Sequence, residues 1–171
     1  MPTPPNNPKS ILFICTSNVC RGPMAGALFK RRRTTGWGRI VRSAGICGTD
    51  GMPVLKAAQD VLNKRGIDLS HHHARMATPH LLPAFDLILA MEPKHREWVE
   101  QHVPSALNRT WLLGHWRNLE FQRSMNGHNP DYERIAEDID QCLTDWIQNI
   151  ETVRNSETSE VLSTSTTSHD S

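Results

Sequence analysis

An apolar run that ends in a cysteine constrains the fold of this chain more than any other feature. Ile11–Ile14 is apolar throughout and short, as is typical of a strand buried on both faces of a parallel sheet. Cys15 follows this run directly, and Pro23 lies where the first turn of a helix accepts a proline. Residues 11–24 therefore predict a strand, a loop and a helix N-terminus in succession.

The predicted loop lies between Cys15 and Arg21 and suits an oxyanion such as phosphate. Backbone N–H groups in such a loop turn inward, and the helix dipole adds partial positive charge. Arg21 can hold two phosphoryl oxygens bidentately. A cysteine at the floor of this site is expected to have a lowered pKa and to attack phosphorus as a thiolate. The predicted phosphate-binding residues are Thr16, Ser17, Asn18, Val19, Cys20 and Arg21.

Short apolar runs alternate with amphipathic stretches along the rest of the chain. The further predicted strands are 39–42, 85–91 and 110–113, and helices are predicted to begin near 23, 53, 93 and 131, the last ending near 152. This alternation predicts a three-layer α/β fold, a short four-stranded parallel sheet with helices on both faces. Ligands bind such a sheet at the carboxyl ends of its strands, which is where Cys15 lies.

Length and composition predict one domain without a membrane or nucleic-acid partner. The 171 residues divide into a flexible arm at 1–9, a domain at 10–153 and a disordered Ser/Thr-rich tail at 154–171. The formal net charge of +1 gives no reason to expect nucleic acid, and no stretch is apolar enough to insert in a membrane. The four cysteines fit neither a disulfide scaffold nor a zinc site, so a reducing cytoplasm is expected.

The loop sequence Cys-Thr-Ser-Asn-Val-Cys-Arg-Gly-Pro at 15–23 resembles the low-molecular-weight protein tyrosine phosphatase family. Two later sequences are similar to those that the family has at the corresponding places: Ser-Ala-Gly at 43–45 and Asp-Leu-Ile-Leu-Ala-Met at 86–91. Leu-Gly-His-Trp at 113–116 is similar to the bacterial branch that works beside capsule and exopolysaccharide tyrosine kinases. The resemblance implies a flavodoxin-like fold of the phosphotyrosine phosphatase I type. It also implies a phosphotyrosine hydrolase that needs no cofactor, with an autophosphorylating tyrosine kinase as its phosphoprotein partner.

Two loop positions depart from the family pattern. Ser17 stands where the family has glycine, and it is expected to strain or reshape the loop because glycine usually marks a positive φ. Gly22 stands where the family has serine or threonine, whose hydroxyl donates to the nucleophilic sulfur. Its absence should raise the pKa of Cys15 and slow breakdown of the thiophosphate intermediate.

The resemblance also implies a redox role for Cys20, which can form a disulfide with oxidised Cys15 and protect it. The alternative is that Cys20 is only a wall residue of the pocket. Cys47 and Cys142 look structural. The run of three histidines at 71–73 lacks accompanying carboxylates or cysteines, so His72 is interpreted as a structural hydrogen-bonding residue and no metal site is predicted.

A general acid is the least specified part of the predicted site. Expulsion of a phenolate is helped by a carboxylic acid over the leaving oxygen, and Asp131 resembles the aspartate of the family's Asp-Pro-Tyr word. The alternative role of Asp131 is a helix N-cap. Asn129 can also match the word, with an amide in place of the acid, and Glu120 is a second candidate acid. The predicted aromatic walls for a phenyl ring are Trp116 and Tyr132, with core packing as the alternative for the tryptophan.

Two other functions are compatible with the same loop. An arsenate reductase shares the fold, but it needs a resolving cysteine pair downstream, and the sequence from 77 to 110 contains no cysteine. A catalytically inactive phosphopeptide-binding protein is the other alternative, suggested by Ser17, Gly22 and the unsettled acid.

Overall fold

The fold is built on a four-stranded parallel sheet, in a computed structural model that describes residues 3–32, 36–121 and 130–165. The strands are β1 (Ser10–Cys15), β2 (Ile40–Gly45), β3 (Leu87–Ala90) and β4 (Thr110–Leu112), in the order β2-β1-β3-β4. The α-helices are α1 (Arg21–Arg31), α2 (Lys56–Lys64), α3 (Pro93–His102) and α4 (Tyr132–Ser165). Short 3-10 helices lie at Leu82–Ala84, Pro104–Arg109 and His115–Arg117.

β1 lies inside the sheet and is buried along its whole length. It pairs with β2 on one side, where Cys15 is opposite Gly45, and with β3 on the other, where Ile14 is opposite Ala90. A strand with neighbours on both edges and helices on both faces has no side that contacts water, and this explains its nearly continuous apolar sequence.

Alternate residues of β1 pack against helices on opposite faces of the sheet. Phe13 and Cys15 belong to a core shared with α1, α2 and α4. Leu12 and Ile14 belong to a second core that includes Val99 of α3. The predicted three-layer α/β architecture is therefore confirmed, and the loop after Cys15 lies at the carboxyl edge of the sheet as expected.

α4 is anchored by Trp146 and extends far beyond that anchor. The Trp146 indole is buried and donates from Nε1 to the carbonyl of Leu113 at 2.8 Å. A disordered tail was expected from residue 154, but the helix continues to Ser165. Once a helix is nucleated, each further residue adds a backbone hydrogen bond without a new nucleation cost. Side chains from 155 to 165 are exposed, and Glu157 in this extension accepts a hydrogen bond from the Asn6 side chain.

The predicted N-terminal arm is attached to the sheet at its inner end. The carbonyl of Pro8 accepts a hydrogen bond from the Gly38 amide at 2.7 Å, and the Lys9 amide donates to Asp86 Oδ2 at 2.8 Å. Within the described ranges, no helix is both long enough and apolar enough to cross a membrane.

We expect the packed part of α4 and its extension to contribute very differently to stability. Removing residues 156–171 should change the free energy of unfolding by less than about 1 kcal/mol, because the described side chains of that segment are exposed. Trp146→Ala should cost about 3–5 kcal/mol, because it opens a cavity and leaves the Leu113 carbonyl unpaired. Denaturant unfolding followed by circular dichroism measures both. A large loss on truncation would show that the domain extends beyond residue 153.

Candidate active site

The loop between β1 and α1 is held at both ends by neighbouring backbone. Its carbonyls accept hydrogen bonds from a second loop that follows β2: Thr16 from the Cys47 amide at 2.8 Å, and Val19 from the Leu55 amide at 2.9 Å. Cys20 is the N-cap residue of α1, half-buried, with its sulfur 3.8 Å from that of Met24. The structure thus brings the predicted phosphate-binding residues together in one strand–loop–helix connection.

Asn18 is fully buried and fixes the centre of this loop. It takes the left-handed conformation, with φ of 59°. Its side-chain Oδ1 accepts a hydrogen bond from the Arg75 amide at 2.9 Å, and its carbonyl accepts one from His72 Nε2 at 3.1 Å. The predicted structural role of His72 is therefore visible in the fold. The expectation of a strained Ser17 is wrong, because the positive φ of the loop is at Asn18 instead, a residue type that tolerates it.

The Cys15 thiol lies at the floor of the loop and is 2% exposed. Burial raises its pKa, whereas a hydrogen bond from the Gly22 amide, the charge of Arg21 and hydrogen bonds from Asn18 lower it, and burial prevails. Asn18 Nδ2 is buried without a hydrogen-bond acceptor among the described residues, and the Asn18 side chain lies close enough to the sulfur to lower the pKa of Cys15. The prediction of a lowered pKa is wrong because the buried sulfur loses more hydration than the donors restore.

Gly22 leaves room for the sulfur. A Cβ atom at this position would lie 2.8 Å from Cys15 Sγ and 3.2 Å from Asn18 Nδ2. The serine or threonine of the family pattern therefore cannot be added here unless the thiol turns away. A raised pKa for Cys15 was expected from the missing hydroxyl, but its main cause in the structure is burial.

Arg21 is buried and is held by groups from three separate segments. Its Nη1 lies 3.3 Å from Glu92 Oε2 and also donates to the carbonyl of Phe121, while Nη2 donates to Thr16 Oγ1 at 3.2 Å. Although burial by itself raises the pKa of Glu92, the charge of Arg21 and the hydrogen bond and charge of Lys94 hold it below its ordinary value. The guanidinium thus has a buried carboxylate as its counter-charge, beside the loop.

His95 completes this network as a neutral ring. It is fully buried, and burial lowers its pKa to about 4 despite the neighbouring Glu92. Its Nδ1 accepts from the Glu92 amide at 3.0 Å, so the proton of the neutral ring is on Nε2, which lies 3.0 Å from Thr16 Oγ1. Glu92 and His95 were missed in the sequence. Their signal was their place just after β3, whose carboxyl end meets that of β1.

Asp131 lies directly before α4 and caps it. Its Oδ1 accepts a hydrogen bond from the Arg134 amide at 3.0 Å, and its carbonyl accepts one from Ile135 at 3.0 Å. The N-cap alternative therefore describes its contacts in the structure. A role as acid stays a prediction, and the competing residue Asn129 lies outside the described ranges. Glu120 is exposed and precedes Phe121, whose carbonyl binds Arg21.

The two predicted aromatic walls differ in their surroundings. The Trp116 ring is 39% exposed and makes edge contacts with His115 and Trp146, at centroid distances of 4.8 and 5.5 Å. These contacts attach it to α4, which favours the packing alternative. Tyr132 is half-buried at the first position of α4 and packs against the core that contains Cys15. His72 and His73 contact different backbone carbonyls, those of Asn18 and Gly51, and the described residues contain no cluster suited to a metal.

Comparison with known proteins is consistent with this site. A family model described as low molecular weight phosphotyrosine protein phosphatase matches residues 10–156. The chain belongs to this family. Its predicted enzyme class, a phosphatase, is therefore confirmed. The low molecular weight protein-tyrosine-phosphatase Ptp of Acinetobacter johnsonii is 33% identical over 142 residues, which cover 83% of this chain and 98% of the relative.

Other similar proteins are named for different phosphorylated amino acids. The tyrosine phosphatase Wzb of Escherichia coli K30, solved in complex with sulphate, is 28% identical with a TM-score of 0.75 and covers 83% of this chain and 98% of its own. A protein-arginine-phosphatase of Geobacillus stearothermophilus is 34% identical over 106 residues, which are 62% of this chain and 70% of the relative. The predicted flavodoxin-like family fold is confirmed. The names of these relatives do not agree on which phosphorylated amino acid is hydrolysed.

We expect a methyl group at position 45 to displace the loop. A Cβ on Gly45 would lie 2.6 Å from the carbonyl oxygen of Thr16 and 3.0 Å from the Asn18 amide nitrogen, both backbone atoms that cannot rotate away. Gly45→Ala should lower kcat/KM for an aryl phosphate about 10²-fold, the cost of a misplacement near 1 Å. Gly26→Ala is the matched control, because a Cβ there would meet nothing closer than 3.8 Å. Equal activity of the two variants would contradict the tight contact.

Glu92→Gln should impair the site without changing its shape. It removes the buried negative charge that pairs with Arg21 while keeping the side-chain volume. We expect kcat to fall roughly tenfold with a smaller change in KM, because a clamp on the phosphoryl group acts most strongly in the transition state. Glu100→Gln, an exposed change on the same helix, is the control. An unchanged kcat in Glu92→Gln would show that Arg21 is positioned without this carboxylate.

Proposed function

We propose that this chain hydrolyses phosphotyrosine in proteins through a covalent cysteinyl-phosphate intermediate. The observation that carries the proposal is the placement of the Cys15 sulfur: it ends a buried strand, faces the amides of Asn18 and Gly22, and lies beside the charge of Arg21. A phosphoryl group seated in this loop would have a nucleophile below it and hydrogen-bond donors around its oxygens.

In the proposed first step, the Cys15 thiolate attacks phosphorus and the bond to the phenolic oxygen breaks. The leaving oxygen takes a proton from a general acid, and in the second step water attacks the thiophosphate and releases inorganic phosphate. Arg21 and the loop amides stabilise the charge on the transferring group. Because burial raises the pKa of Cys15, the thiolate becomes more populated as pH rises toward that pKa.

Asp131 is the proposed general acid, and Glu120 is the alternative. Asp131 is exposed at the start of α4 next to Tyr132, which packs against the core that holds Cys15. Its capping hydrogen bond uses Oδ1, and a carboxyl group can cap a helix with one oxygen while the other accepts or donates elsewhere. Tyr132 is the proposed aromatic wall for the tyrosine ring.

Cys20 is the proposed redox partner of Cys15. If a peroxide oxidises Cys15 to a sulfenic acid, the Cys20 thiol can attack that sulfur, forming a disulfide and releasing water. Neither cysteine forms a disulfide in the structure, and Cys20 packs against the core to which Cys15 belongs. The proposed setting is a reducing cytoplasm, and the proposed phosphoprotein is an autophosphorylating tyrosine kinase, which the Gly-His-Trp sequence at 114–116 supports by resemblance.

A second candidate function is phosphate binding without turnover. It is favoured by the raised pKa of Cys15 and by the capping contact of Asp131. In that case the loop would hold a phosphopeptide and the thiol would remain protonated.

Turnover of a phosphotyrosine peptide and of p-nitrophenyl phosphate by reduced protein tests these proposals together. Cys15→Ser should abolish both reactions. Asp131→Asn should slow the peptide reaction about 10²-fold or more, and the p-nitrophenyl phosphate reaction less, because p-nitrophenolate leaves without a proton. Asp60→Asn, an exposed change on α2, is the control.

The remaining outcomes separate the alternatives. If Asp131→Asn turns over the peptide normally and Glu120→Gln does not, Glu120 is the general acid and Asp131 serves only as the helix cap. Preference for a phosphoarginine peptide would contradict the tyrosine assignment. Folded wild-type protein that binds vanadate but turns over neither substrate would establish the binding function instead.

A further inference from the structure

A second cavity, distinct from the loop at 15–21, opens at the free edge of the sheet. It has a volume of about 530 Å³, within the range of small-molecule sites, and we call it the edge cavity. It lies between one face of α1 from Pro23 to Lys30, strand β2 and the segment from 67 to 75. β2 is an edge strand, and on the side away from β1 the described residues bridge it at Gly45, to Met76, while residues 41–43 line the cavity.

The edge cavity concentrates positive charge in a chain whose charges are otherwise nearly balanced. Its lining contains Lys30 from α1, Arg42 from β2 and Arg75 from the following loop, against the single carboxylate of Asp68. The whole chain, by comparison, has 19 basic and 18 acidic residues. Cations contributed by separate elements and directed at one concave space are the pattern expected for an anion with more than one charged group.

Individual contacts keep these groups at the cavity. Arg42 Nη1 donates to the carbonyl of Val41 at 2.9 Å, which holds the guanidinium at the open edge of β2. Asp68 Oδ1 accepts from the Ser70 amide at 2.8 Å, so part of its acceptor capacity is satisfied locally. Arg75 is exposed, and its backbone rather than its side chain is used in the contact with Asn18.

The cavity is linked to the candidate active site through Asn18. Two lining residues donate hydrogen bonds to Asn18. His72 Nε2 donates to the Asn18 carbonyl, and the Arg75 amide donates to Asn18 Oδ1. Asn18 in turn lies close enough to the Cys15 sulfur to lower the pKa of that thiol. Lys30 and His73 lie close enough to His72 to act on its charge state, so an anion bound among them would act on the ring that contacts Asn18.

We propose that the edge cavity is a second, regulatory site that binds small molecules carrying two or more phosphate groups, and that its occupancy is transmitted to the loop through His72, Arg75 and Asn18. Lys30, Arg42 and Arg75 bind the phosphate oxygens. The site is distinct from the proposed catalytic site, because no residue of the loop at 15–21 lines the cavity.

Inorganic tripolyphosphate is the probe, titrated by calorimetry into the full chain saturated with vanadate so that the loop at 15–21 is blocked. We expect one equivalent to bind, with an affinity that falls as salt is added. The double variant Lys30→Ala, Arg42→Ala should weaken binding about tenfold or more, because it removes two charge-assisted contacts. The double variant Arg39→Ala, Lys64→Ala removes the same charge from exposed positions outside the lining and should bind like the wild type.

Amide NMR tests the link to the loop in the same samples. Tripolyphosphate should shift the amide signals of Arg75 and Asn18, and the Lys30→Ala, Arg42→Ala variant should not show these shifts. No binding to the blocked wild type, or an equal loss in the two double variants, would overturn the site. Binding without a shift at Asn18 would overturn the link. The comparison between the double variants holds whether or not the chain proves to be a phosphatase.

Discussion

The arrangement of the candidate active site depends on the buried side chain of Asn18. Its left-handed backbone turns the loop, its Oδ1 fastens the loop to Arg75, and its side chain lies close enough to the sulfur of Cys15 to lower the pKa of that thiol. A buried amide that lost one of these partners would leave a polar group unsatisfied, which costs about 1–3 kcal/mol. The loop therefore has one well-defined shape, and its backbone lies directly against Gly45 at the end of β2, where there is no room for a side chain.

The charged groups beside this loop are paired or kept neutral. Arg21 and Glu92 form a buried pair, and removing Glu92 would leave the charge of Arg21 uncompensated in the interior. His95 is kept neutral by burial, so it bonds to Thr16 without adding a second positive charge beside Cys15. The sulfur is consequently influenced by one nearby cation and by backbone dipoles, while its burial works against ionisation.

Much of the fold could be predicted because buried strands and helix faces require apolar residues at a characteristic spacing. The run before Cys15 is apolar because its strand has no solvent side, and the alternation of strands and helices implied the parallel sheet. The end of α4 could not be read in this way, since a Ser/Thr-rich segment can continue a helix already nucleated by a packed one. The backbone strain expected at Ser17 is absent because the positive φ of the loop is at the next residue, Asn18, and asparagine tolerates this conformation.

The sequence by itself determined the nucleophile, the arginine and the strand–loop–helix that joins them, because all of these lie within a few consecutive residues whose geometry is local. Only the tertiary structure decided which groups surround them. Glu92 and His95 reach Arg21 and Thr16 from the end of another strand, and residues 72 and 75 reach Asn18 from a distant loop. Such contacts follow from the packing of separate elements, as does the burial that sets the pKa of Cys15. No local pattern encodes them.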